Sequence, residues 1–99
     1  MSQAQVYVDQ DLKPLMPMFL DNRDEDIQEL RDLLAEDDLE GLEELGHKIK
    51  GAGGGYGFDY VTELGREIEE AAKAGDLEEI KELVARLANY MDEVEIIYE

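Results

Sequence analysis

Cysteine and tryptophan are missing from this 99-residue chain, histidine occurs once, proline twice, and 9 Lys and Arg stand against 27 Asp and Glu. Without cysteine there is no disulfide framework and no thiol nucleophile. With one histidine and no cysteine, a structural zinc site lacks its ligands. The shortage of cations, a formal net charge of -18, opposes nucleic-acid binding, which depends on neutralising phosphates with Lys and Arg. It equally opposes adsorption to an anionic membrane, and by itself it describes a highly soluble surface, expected to keep the chain monomeric. No apolar run reaches the 18 residues of a membrane span. The opening residues Met1 to Gln5 lack the basic and apolar regions of a signal peptide, so a cytoplasmic protein is the expectation.

A chain of this length makes one domain with one modest core, burying roughly two-thirds of its unfolded surface. Residues 1–10 are polar around a Val6-Tyr7-Val8 run and are expected to form an extended lead-in. From residue 11 the apolar spacing is helical. Leu12, Leu15, Met16, Phe19, Leu20, Ile27, Leu30, Leu33 and Leu34 keep one phase. They imply a long first helix, or two nearly collinear pieces with a short extra N-terminal helix. Pro14 and Pro17 suit its first turns, with Pro17 the place where a kink would fall. Glu36-Asp37-Asp38 ends it, and a second helix runs from about Leu39 into the glycines at 53–55. Asp59 is the expected N-cap of a third helix, with Tyr60, Val61, Leu64, Ile68, Ala71 and Ala72 facing inward and Gly75 as its C′ residue. Asp76-Leu77-Glu78-Glu79 resembles a capping box. It opens a fourth helix, with Leu77, Ile80, Val84, Leu87, Met91 and Val94 on one face, expected to end near Tyr98. The fold class is therefore all-α, an antiparallel up-down four-helix bundle over residues 11–99.

The lone histidine, His47, belongs to the second helix. Leu42, Leu45, Gly46, Ile49, Ala52 and Gly53 define that helix's core face. At about 100° per residue, His47 lies roughly 150° from its centre and should face solvent. Gly51 and Gly54 follow it on the exposed stripe, although each mid-helix glycine costs about 1 kcal/mol relative to alanine. Two such costs beside one histidine imply that something approaches closely. Lys50 stands one turn away and Lys48 beside it, a local reversal of sign in an acidic chain. Imidazole, with an unperturbed pKa of about 6.5, is a good nucleophile near pH 7. Once phosphorylated it would carry negative charge that Lys50 could stabilise. The segment has no evident metal site and no base aimed at the histidine, so in-line positioning and a cation on the phosphoryl oxygens would have to come from a partner.

Competing motifs fail on spacing. From Gly51, a Gly-x-Gly-x-x-Gly pattern breaks at Tyr56, and no Gly-Lys-Ser/Thr follows. Asp21 to Asp26 lacks the spacing and the glycine of a calcium loop and reads better as acids near a helix N-terminus.

The segment His47-Lys48-Ile49-Lys50-Gly51-Ala52-Gly53-Gly54-Gly55-Tyr56-Gly57-Phe58 resembles the signature of histidine phosphotransfer (HPt) domains. That signature is His-x-x-Lys-Gly with a second glycine and an apolar residue six positions on. The stretch Leu64 to Ala72 resembles the helix that packs beside the histidine helix, and the likeness extends over nearly the whole chain. The resemblance implies that His47 accepts a phosphoryl group from a receiver-domain aspartate and passes it to another, with Lys50 stabilising phosphohistidine and Gly51 giving access. Partners would be response-regulator receivers and a hybrid sensor kinase. Magnesium would sit on the receiver, with no cofactor on this chain and no autonomous kinase activity. Some members place a glutamine beside the histidine where this chain has Glu69. A carboxylate there could orient the imidazole but would repel phosphate. Lys48, Gly54 and part of the first helix are expected to meet the receiver. Two other readings share the bundle. One is a binding module that sequesters a receiver without phosphate chemistry; the other is the phosphoacceptor module of a larger, chemotaxis-type kinase.

Overall fold

The computed structural model describes residues 4–99; of the expected lead-in, residues 1–3 lie outside the described part. A short strand, β1 (Gln5–Val8), and a 3-10 turn (Gln10–Leu15) precede four helices. These are α1 (Met16–Ala35), α2 (Leu39–Tyr56), α3 (Asp59–Lys73) and α4 (Leu77–Glu93), and a second strand, β2 (Glu95–Tyr98), follows them. The all-α expectation holds for the body of the molecule.

Local chemistry sets the element ends. Pro17 falls in the first turn of α1, where a missing N–H removes no helical hydrogen bond, while Pro14 lies inside the 3-10 turn, which it deprives of one donor. Residues 10–15 thus form a separate short piece rather than the first turns of one α-helix. The Asp38 carboxylate accepts from the Gly41 N–H and the Asp76 carboxylate from the Glu79 N–H, so both are true N-caps. Asp59 does not cap α3. It is that helix's first residue, after Phe58 at the cap position, where its charge still faces the positive end of the helix dipole. Gly75, at φ 73°, takes the left-handed position after α3.

Contacts between successive helices run in opposite chain order. Lys48 reaches Asp26 while Phe19 stacks near Tyr56, and Tyr60 meets Tyr90. Between α2 and α3, a Cβ on Gly46 would touch Glu69 and one on Gly53 would touch Thr62. Consecutive helices are therefore antiparallel. The enclosed core includes Phe19, Leu30, Leu42, Ile49, Phe58, Leu64, Ile68, Ile80 and Leu87, all at most 2% exposed. Two expected core residues sit outside it: Leu15 is 40% exposed and Tyr60 39%. The Tyr60 ring stacks edge-on against Tyr90 instead, at 4.8 Å between centroids.

The fourth helix ends at Glu93 rather than near Tyr98. Residues 95–98 turn into β2 and pair in parallel with β1, Val6 opposite Ile96 and Val8 opposite Tyr98. This ladder buries Val6 and Val8 and ties the N-terminal segment to the end of α4.

Candidate functional site

Glycine contacts position α2 against α3. A Cβ on Gly65 would lie 2.5 Å from the Lys50 backbone nitrogen and 2.8 Å from the Gly46 carbonyl, and one on Gly53 would lie 2.7 Å from the Thr62 nitrogen. No side chain fits in such gaps, so the two backbones approach as closely as glycine permits. Gly51 and Gly55 are the opposite case: an added Cβ would meet nothing within 4 Å, and at Gly54 only the Thr62 hydroxyl oxygen, at 3.9 Å. Packing does not require glycine at 51, 54 or 55, and its absence of side chain there clears an open strip of surface.

His47 stands beside this strip with its side chain 67% exposed, as the helical phase predicts. Its Nδ1 lies 3.2 Å from Oε2 of Glu69, on α3. Lys50 donates from Nζ to Oε1 of the same carboxylate at 3.0 Å, and Lys73 Nζ is 3.8 Å from Oε2. The Lys50 hydrogen bond is the largest influence on Glu69 and holds its carboxyl below the usual carboxylate range. Partial burial works against it, while the charges of Lys50, His47 and Lys73 add to it. Near neutral pH Glu69 is therefore ionised and can only accept. The Nδ1 facing it must carry the hydrogen, which leaves the lone pair of a neutral ring on Nε2. Among the described residues, Nε2 has no hydrogen-bond partner.

The other expected residues divide. Lys50 and Glu69 join His47. Lys48 turns to the opposite flank, where its Nζ lies 3.4 Å from Oδ1 of Asp26 on α1. Asp26 also receives the Arg23 Nε hydrogen bond at 2.9 Å, and both side chains of that pair are at most 5% exposed. Arg23 in turn covers the Phe19 ring, 4.9 Å from its centroid. The acids at 21–26 thus lie inside α1 rather than near its N-terminus, and one of them is a buried ion-pair partner. Lys48 belongs to the α1–α2 contact rather than to the cluster around the imidazole.

Lys73 was not singled out by the sequence. Its position four residues after Glu69 on one helix was the available signal, because side chains at that spacing are neighbours.

Among the described residues no three His, Asp or Glu side chains are grouped to hold a metal ion, and no helix is long and apolar enough to cross a membrane. The arrangement offers an exposed nitrogen nucleophile, a carboxylate fixing the ring's other nitrogen, an ammonium one turn away and cleared surface beside them. A family model described as Hpt domain matches residues 14–96. No curated protein and no solved structure gives a significant match.

Proposed function

The chain belongs to the Hpt domain family, and on that premise we propose that His47 is its phosphoacceptor, carrying a phosphoryl group between receiver-domain aspartates of a multistep phosphorelay. The observation that carries this reading is the Nδ1 contact with Glu69, at 3.2 Å, on a ring whose side chain is 67% exposed. It presents Nε2 as the reacting atom.

In the reaction so assigned, the Nε2 lone pair attacks the phosphorus of an aspartyl phosphate. The N–P bond forms as the P–O bond to the aspartate breaks, and the carboxylate leaves with the bonding electrons. The ring gains positive charge as Nε2 is phosphorylated. Glu69, hydrogen-bonded to Nδ1–H, stabilises that charge. This offsets the repulsion expected between its carboxylate and the phosphoryl group. Lys50 lies one turn away and can shift from Glu69 to the phosphoryl oxygens. Gly51 and Gly54 admit the partner's loops. The in-line geometry and the magnesium ion are assigned to the receiver, and the chain has no kinase activity of its own in this reading. Phosphoryl groups enter from ATP through a sensor kinase, which places the carrier in the cytoplasm.

The test is phosphotransfer from isotopically labelled receivers to wild type and His47→Gln. Wild type should acquire acid-labile label in stoichiometric amount. The variant should acquire none while keeping its helical circular dichroism; label on the variant would reject His47.

A further inference from the structure

Glu69 touches more cationic partners than orienting one imidazole requires. His47 Nδ1 and Lys73 Nζ both face Oε2, at 3.2 and 3.8 Å, while Lys50 Nζ holds Oε1 at 3.0 Å. Lys73 closes α3 one turn beyond Glu69, its side chain 57% exposed. In the free protein, so open and long a pair adds little while Lys50 occupies the carboxylate, and Lys73 ranks last among the influences on Glu69.

Phosphorylation alters that balance. A phosphoryl group brings a charge of about -2. If Lys50 turns to its oxygens, Glu69 loses its strongest partner just as the neighbouring ring acquires negative oxygens. Among the described residues, Lys73 is the other ammonium within ion-pair distance of Glu69. Lys50 and Lys73 against Glu69 leave the cluster one positive charge in surplus; with the ring's own positive charge counted, phosphorylation brings it to neutral, and without Lys73 it would end one negative.

Resting on the reading of His47 as phosphoacceptor, we propose that Lys73 is a positioning residue. It takes over neutralisation of Glu69 when Lys50 moves to the phosphoryl group, so that Glu69 can keep holding Nδ1 beside the phosphate. Lys73 acts through Glu69 and needs no contact with the phosphoryl group.

The whole chain can be phosphorylated on histidine with phosphoramidate, without a receiver, and the lifetime of phosphohistidine followed by 31P NMR. Lys73→Gln should shorten that lifetime about threefold to tenfold, the effect of removing one nearby charge in a partly screened site. Lys73→Arg should restore it. The Nδ1–H tautomer of unphosphorylated His47, read from 15N shifts, should be the same in wild type and Lys73→Gln, because Lys50 still holds Glu69. A merely structural role would disturb both states. In a Glu69→Gln background, Lys73→Gln should have no further effect. An unchanged lifetime in Lys73→Gln overturns the proposal, as does an equal loss with Glu69 already removed. Because phosphoramidate bypasses the receiver, failure of receivers to label His47 would count against the phosphorelay reading and not imitate either outcome.

Discussion

The Nδ1 atom of His47 lies 3.2 Å from Oε2 of Glu69, between side chains 22 positions apart on neighbouring helices. This contact depends on the closeness of α2 and α3, which glycine makes possible, and it decides which ring nitrogen is free to react. Backbone packing, proton position and reactivity are thus linked through one pair of residues.

The two kinds of glycine should respond oppositely to alanine. Gly65→Ala places a Cβ 2.5 Å from the Lys50 backbone nitrogen and should cost about 1–3 kcal/mol, as overpacking does. Gly51→Ala meets nothing within 4 Å and should stabilise the helix by up to about 1 kcal/mol. It should nevertheless slow phosphotransfer severalfold, because the added methyl stands where the receiver approaches. Urea unfolding midpoints and single-turnover transfer rates check both signs.

The Arg23–Asp26 pair is a buried connection within α1 that Lys48 extends to α2. Asp26→Ala leaves Arg23 buried without its partner and should cost about 3–5 kcal/mol. Replacing both with Leu and Met should cost far less, since no charge is then stranded. Equilibrium denaturation of the single and double variants separates these outcomes.

Glu69 should shape the acid side of the stability profile. The Lys50 hydrogen bond holds its folded-state carboxyl below the usual carboxylate range. Its contribution is therefore fully present above the unfolded value and is lost as pH falls through the folded one. Between about pH 5 and 3, wild type should lose stability more steeply than Glu69→Gln, measured by urea unfolding at each pH. Equal slopes would mean that Lys50 does not favour the ionised form.

The helical phase alone made the outward direction of His47, the nearness of Lys50 and the open strip at Gly51 and Gly54 legible in the sequence. These are properties of one helix, and a helix has a fixed period. What depends on two distant segments was less legible. Residues 95–98 form a strand because they pair with Gln5–Val8, while Val94 continues the α4 apolar phase and disguises the helix end. Asp26 belongs to a run of acids that looks solvated; Arg23 is its neighbour three residues back on α1, but only the fold buries the pair and brings Lys48 to it. Lys48 adjoins His47 in sequence, but consecutive helical residues point about 100° apart, and only the fold shows that it pairs with Asp26 rather than with Glu69. Glu69 entered through its correspondence to a glutamine in the family, and Lys73, though four residues on along the same helix, gained a role only once the carboxylate's other partners were known.

The account turns on which nitrogen of His47 bears the phosphoryl group. The most direct measurement is 31P and 15N NMR of the chain phosphorylated by a receiver, with 15N in the histidine ring. Phosphorus coupled to Nε2, with Nδ1 retaining the shift of a hydrogen-bonded nitrogen, is the predicted result. Phosphorus on Nδ1, or on any residue other than His47, would contradict it.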